Sequence, residues 1–198
     1  MARSQAGFQL VELLVVMAIV GLGLLVALPP LSRAAGGVEV RLAAEEVVSA
    51  FRLARAFAIR ENLRVGVKFR TGADGAVSWT LHRDGDGDGV RSDDIAAGVD
   101  PAVGVQRRLA HFGRAVRLGF PPGRAPRDPG DPRRRLDRLD DPIRFNRSDI
   151  ASFAPVDGAT PGTVYITDGG GRLAAVRVVG RTGRVRVLTY RTDTEIWR

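Results

Sequence analysis

Residues 8–28 read FQLVELLVVMAIVGLGLLVAL, and no other stretch limits this chain's fold as strongly. As a helix rising about 1.5 Å per residue, the run is long enough to cross a hydrocarbon core of about 30 Å. It must be covered by lipid or by other apolar helices, and the remaining chain has to fold as a separate body. Ahead of it stands only MARSQAG, with Arg3, so the positive-inside bias keeps that end in the cytoplasm and sends the rest outward. A cleaved secretory signal has a shorter apolar core followed by a small-residue cleavage site; this run is longer and meets Pro29-Pro30. Glu12 is the anomaly, because an unpaired charge costs about 2.5 kcal/mol or more at the bilayer centre. It needs a partner.

The 198 residues leave room for one modest domain after this segment. The formal net charge is +8, and Lys68 is the one lysine among 30 basic residues. A basic balance favours acidic partners such as nucleic acid or anionic lipid, although heavy arginine use follows equally from genomic base composition. With no cysteine, a disulfide framework, a thiolate nucleophile and a zinc–cysteine cluster are excluded. His82 and His111 have no metal spacing, and neither a Gly-x-Ser-x-Gly elbow nor a phosphate loop occurs. The sequence argues against an enzyme.

Residues 41–62 place Val47, Phe51, Ala54 and Ala58 at helical spacing, with Glu45, Arg52, Arg55 and Arg60 mostly elsewhere, which predicts an amphipathic helix. Gly36-Gly37 ahead of it predicts a flexible or melted joint. Residues 64–69 and 77–82 alternate apolar and polar positions around Ala73-Asp74-Gly75, the pattern of a hairpin. Further strands are predicted at 106–111, 116–120, 163–167, 173–179 and 185–190, separated by turns rich in glycine and proline. The fold class is α+β, a long helix on antiparallel sheet.

Gly7-Phe8-Gln9-Leu10-Val11-Glu12-Leu13 resembles the prepilin cleavage and methylation motif, with Gln9 where threonine is more usual. The resemblance implies cleavage between Gly7 and Phe8 by a membrane aspartyl peptidase and methylation of the Phe8 amine. It also implies pairing of Glu12 with the N-terminal amine of a neighbouring subunit, which would supply the partner that low dielectric demands. Pro29 falls where pilins carry a helix-kinking proline. Phe153-Ala154-Pro155 with Gly158, the run 162–167, Gly183-Arg184-Val185, and Arg55-Ala56 in the helix resemble the GspH/FimT branch of minor pseudopilins. Residues 98–142 match nothing in that pattern.

The implied organisation is a leader peptide (1–7), a transmembrane and filament-core helix (8–30), an amphipathic second half (31–62) and a periplasmic β-rich domain (63–198). Implied partners are the prepilin peptidase/methyltransferase, other pseudopilins or pilins, and the bacterial inner membrane. Type II secretion and a type IV pilus are both open as the machine.

Three further sites stand out. Asp84, Asp86 and Asp88 alternate with glycines, with Asp93 and Asp94 beyond, an arrangement that lets carboxylates converge on calcium. Ile95 occupies the twelfth position, where an EF-hand carries its bidentate acid, so a solvated acidic loop is the alternative. No cofactor is required by the reading; a structural calcium is the candidate. Residues 121–142, rich in proline, arginine and aspartate, predict an exposed or disordered insertion. At the C-terminal end Arg184, Arg186 and Arg191, with Arg177, Arg181 and Arg198, lie among Tyr190 and Trp197. Basic residues with interleaved aromatics suit DNA, and some FimT-like minor pilins are associated with DNA uptake, so a DNA-binding pilin acting in transformation is the alternative function.

Overall fold

The computed structural model describes residues 10–72, 76–109, 116–156, 158–180 and 182–198, with the backbone alone for 26–36. Helix α1 spans Leu10–Glu61. It continues through Pro29-Pro30 and Gly36-Gly37, so the glycine pair is not the melted joint its composition predicts. Two interior glycines cost about 1 kcal/mol each relative to alanine, which long helical segments on either side can absorb.

The chain divides into two units, Met1–Gly37 and Val38–Arg198. In the first, every described side chain from Leu10 to Leu25 is exposed. Among the described residues no helix is long and apolar enough to cross a membrane, and the side chains described there cover only 10–25 of the 8–28 run.

The second unit holds two antiparallel sheets. One is ordered β3-β2-β1-β6, from β1 (Val65–Thr71), β2 (Val77–Arg83), β3 (Ala102–Arg108) and β6 (Ile150–Phe153). The other contains β4 (Arg117–Leu118), β5 (Ile143–Arg144), β7 (Gly162–Thr167), β8 (Leu173–Val179), β9 (Arg184–Arg191) and β10 (Ile196–Trp197). Its order is β10-β9-β8-β7-β4, with β5 also on β7. A short helix, α2 (Ser92–Ala97), lies between β2 and β3.

The predicted hairpin is β1–β2, in register from Val65↔Arg83 to Thr71↔Val77; its turn at 73–75 lies outside the described residues. Prediction misses α2, β5, β6 and β10 and shifts β3; the missed strands run two to four residues and the helix is less than two turns, too short for a period to emerge.

Within the second unit, Ala43, Ala44, Val47, Phe51, Ala54 and Ala58 of α1 are fully buried. Their three- and four-residue spacing forms one stripe, and alanines let the helix approach closely. Phe51 is the hub, its ring 6.0 Å from Phe69, 5.7 Å from Phe145 and 5.7 Å from Phe153. Both sheets contribute to this core, through Val65, Val67 and Trp79 on one side and Val164, Ile166 and Val176 on the other. Gly162 is forced by the packing, since a Cβ there would come within 2.2 Å of the Phe145 ring.

The opposite face of the second sheet is also covered. Phe120, Leu136, Tyr165, Leu173, Ala175 and Tyr190 form a second buried cluster, with Leu188 and Trp197 against it. Residues 121–142 are therefore not a disordered insertion. They fold back on themselves through an Arg127↔Arg135 bridge and a Leu136 N–H to Pro126 carbonyl bond of 2.9 Å, and they bury Leu136 on the sheet. Composition misleads because one buried leucine and long-range polar bonds hold a segment otherwise dominated by proline, arginine and aspartate.

Candidate functional site

Of the N-terminal motif, Gly7 and Phe8 lie outside the described residues. Glu12 stands in the first turn of α1, exposed among Leu10, Val11, Leu13 and Leu14, all more than half exposed. An apolar surface of this extent marks a site of lipid or protein contact. The backbone of α1 passes through Pro29 as helix.

The acidic loop is built from β2 onward. Carboxylate oxygens of Asp84, Asp86 and Asp88 lie within 4.8 Å of one another, so three of the five predicted ligands converge. Asp93 and Asp94 stand instead in the first turn of α2, outside that group. Asp84, 7% exposed, accepts the backbone N–H groups of Gly87 at 2.7 Å and Gly89 at 3.0 Å. Arg91 pairs with Asp88 and supplies part of the counter-charge. Desolvation, with Asp86 and Asp94 adding to it and Arg91 opposing, pushes the Asp88 carboxyl up from its ordinary value.

Sequence reasoning passed over Asp100. Only 1% exposed, it accepts the N–H groups of Gly85 at 3.0 Å and Arg91 at 2.9 Å. Its carbonyl accepts His82 Nδ1–H at 2.9 Å, which gives that histidine a structural role. His111 lies outside the described residues. No spacing rule marks Asp100 beforehand, because the loop's own turn brings it back.

The basic end is arranged differently from its prediction. Strand β9 pairs with β8 without interruption from Arg184↔Val179 to Tyr190↔Leu173, so side chains alternate strictly between faces. Arg184 and Arg186 share the outer face with Leu188 and Tyr190, while Val185 and Val187 pack on the inner core. Arg191 has the parity of the valines and is also paired with Asp193 at 2.6 Å. The three arginines are not one patch, which the two-residue period could have revealed. Nor are the aromatics free to stack on bases. Tyr190 is buried, with its ring 4.9 Å from Trp197, and Trp197 donates its indole N–H to the Arg127 carbonyl at 2.7 Å.

Glu195, beside Asp193 one of two acids among the C-terminal arginines, organises this cover. It accepts two bonds from Arg135, at 2.8 and 2.6 Å, and pairs with Arg124 at 3.4 Å and Arg127 at 3.5 Å. The bond from Arg135, opposed by some desolvation and aided by the charges of Arg124 and Arg127, holds its carboxyl below the ordinary range. Arg144 fixes the other end of the cover, pairing with Asp137 at 3.1 Å and lying 5.7 Å over the Phe120 ring and 5.5 Å over the Tyr165 ring. Tyr165 is pushed up to about 12, by burial first.

Two residues that carry the family resemblance meet in space: Arg55 Nη1 donates to the Gly183 carbonyl at 3.3 Å, tying α1 to the β8–β9 turn.

No curated protein matches this chain. In structure it is similar to the minor pseudopilin EpsH from the type 2 secretion system of Vibrio cholerae, with a TM-score of 0.43 and 14% identity over 75% of this chain and 94% of that one. A likeness that weak decides nothing about function. The family models are firmer: residues 2–28 match the prokaryotic N-terminal methylation motif, and residues 43–183 match type II transport protein GspH. That second match spans well over half of the 198 residues, takes in the helix stripe, the first sheet, strands β4, β5, β7 and β8 of the second and the Arg55–Gly183 contact, and places the chain in the GspH family of type II transport proteins.

Proposed function

We propose that this chain is a minor pseudopilin of a type II secretion filament, made as a precursor and held in the inner membrane by its N-terminal helix until it assembles. Prepilin peptidase cleaves between Gly7 and Phe8, and the Phe8 amine is methylated. Residues 8–30 stay in the membrane with the C-terminal domain in the periplasm, then form the filament core. Pro29 bends the helix for that packing. The observation that carries this reading is Glu12 standing within an apolar helix surface exposed throughout its described length. Such a carboxylate is tolerated in low dielectric when a cation meets it, and a neighbour's Phe8 amine is suitably placed in sequence to be that cation. Coexpression with a prepilin peptidase tests the first step: intact mass should fall by residues 1–7, and an unchanged mass would overturn the reading.

The acidic loop is a candidate for a structural calcium ion, favoured by the convergence of Asp84, Asp86 and Asp88. Asp84, Asp100 and Arg91 already close the loop through hydrogen bonds and an ion pair, so the ion would tighten it rather than fold it. A type IV pilus is the other machine this reading admits. The alternative function, a DNA-binding pilin in transformation, needs an arginine surface. Arg184 and Arg186 face one way and Arg191 the other, which weighs against the DNA reading. Binding to duplex DNA that steepens as salt falls, and is lost with Arg184→Gln and Arg186→Gln, would restore it.

A further inference from the structure

A cleft on the outer face of the second sheet is left unused by the filament reading. It encloses about 430 Å³ between the 121–142 segment and strands β8 to β10, and Pro129, Pro132, Leu188 and Trp197 form its apolar walls. Three arginines line it, of which Arg127 is paired with Glu195 at 3.5 Å. Arg177 on β8 and Arg186 on β9 are directly opposed cross-strand partners, a placement that brings Cβ atoms to about 5 Å and is unfavourable for like charges.

Among the described residues neither arginine has a carboxylate partner, whereas Arg124, Arg127 and Arg135 all converge on Glu195. The Arg177 guanidinium lies against Gly130 of the cover, where a Cβ would come within 2.8 Å of Nη1 and Nη2. The cover therefore makes room for this side chain and limits its movement. Two unneutralised guanidinium groups beside apolar walls form a preorganised site for a carboxylate attached to an apolar group.

We propose that this cleft binds an acidic segment of a neighbouring filament subunit, with a carboxylate between Arg177 and Arg186 and an adjacent apolar side chain against Pro129, Pro132 and Trp197. The partner's identity as a subunit rests on the filament reading. A phosphate backbone suits the cleft less well. Its walls are largely apolar, Glu195 stands in the lining, and the Tyr190 and Trp197 rings are already packed on each other.

The test uses the full chain in detergent and a fluorescein-labelled, capped peptide alternating leucine and glutamate, with a leucine–glutamine peptide and short duplex DNA as comparisons. The acidic peptide should bind with an affinity that falls as salt rises. Arg177→Gln with Arg186→Gln should weaken it by roughly tenfold or more, the scale of a lost charged hydrogen bond, while Arg177→Lys with Arg186→Lys should retain part of the binding. Thermal melts establish that each variant folds. If the glutamine pair does not fold, the salt series on the unaltered chain decides, and a flat response overturns the proposal.

Equal binding of the glutamine peptide overturns it too, as does duplex DNA binding with the same arginine dependence. The two readings fail separately. A chain that enters filaments but does not bind the peptide refutes the cleft, whereas one that binds the peptide but is never processed refutes the filament reading.

Discussion

The two faces of the larger sheet are covered by opposite chemistry. On the inner face α1 contributes a stripe of alanine, valine and Phe51, and almost nothing polar is buried. On the outer face a segment poor in apolar residues is held by Leu136, by Glu195 among three arginines, and by Arg144 over two rings. The inner cover draws on burial of apolar area, which is non-directional and tolerant of salt. The outer cover adds to a small apolar cluster directional bonds and part-exposed ion pairs, individually worth little and sensitive to pH and salt. Changes to the outer cover should therefore cost the domain less stability than changes to the inner face.

The largest expected effect breaks the inner face. Phe51→Ala removes the ring that touches Phe69, Phe145 and Phe153 and should cost about 3–5 kcal/mol, measured by denaturant unfolding. Leu136→Ala should cost about 2 kcal/mol, the low end for a buried leucine because its surroundings can collapse. Hydrogen exchange should then quicken in 121–142 while β1 and β2 stay protected; uniform acceleration across both sheets would erase the contrast between the faces.

A smaller effect follows from pH. Because Glu195 is held below its ordinary value, its contribution is complete above the unfolded glutamate pKa of about 4.3. It is lost as pH falls through the depressed folded value. Acid titration of the melting temperature should show this step in the unaltered chain and a weaker one in Glu195→Gln; Asp168, also held low by its bonds to Gly170 and Arg172 against desolvation, contributes equally to both. The smallest effect is at the acidic loop, where millimolar calcium should raise the melting temperature slightly and Asp86→Asn should abolish the rise. No rise in the unaltered chain would leave Arg91 as the loop's counter-charge.

The inner face was legible in the sequence because its stripe repeats at the helical period and its strands run six to eight residues, long enough to count. The outer face was not. Leu136 is followed three residues on by Leu139 alone, too little to count as a period, and Glu195 acts on Arg135 across 60 positions. The candidate sites divide likewise. Asp84, Asp86 and Asp88 converge because alternate positions in one loop dictate it, whereas Asp100 joins only after α2 turns the chain back. The three arginines expected to act together on DNA are split, because β9 assigns Arg191 a face opposite to that of Arg184 and Arg186.

The central claim is that Glu12 and the apolar helix around it build a filament. Its most direct measurement is incorporation: the chain and its Glu12→Ala variant are expressed with a prepilin peptidase and the partner pseudopilins, and sheared filaments are probed for each. The account predicts that both forms are cleaved after Gly7 and that only the unaltered chain enters filaments. Equal incorporation of the variant, or absence of the unaltered chain from filaments, would contradict it.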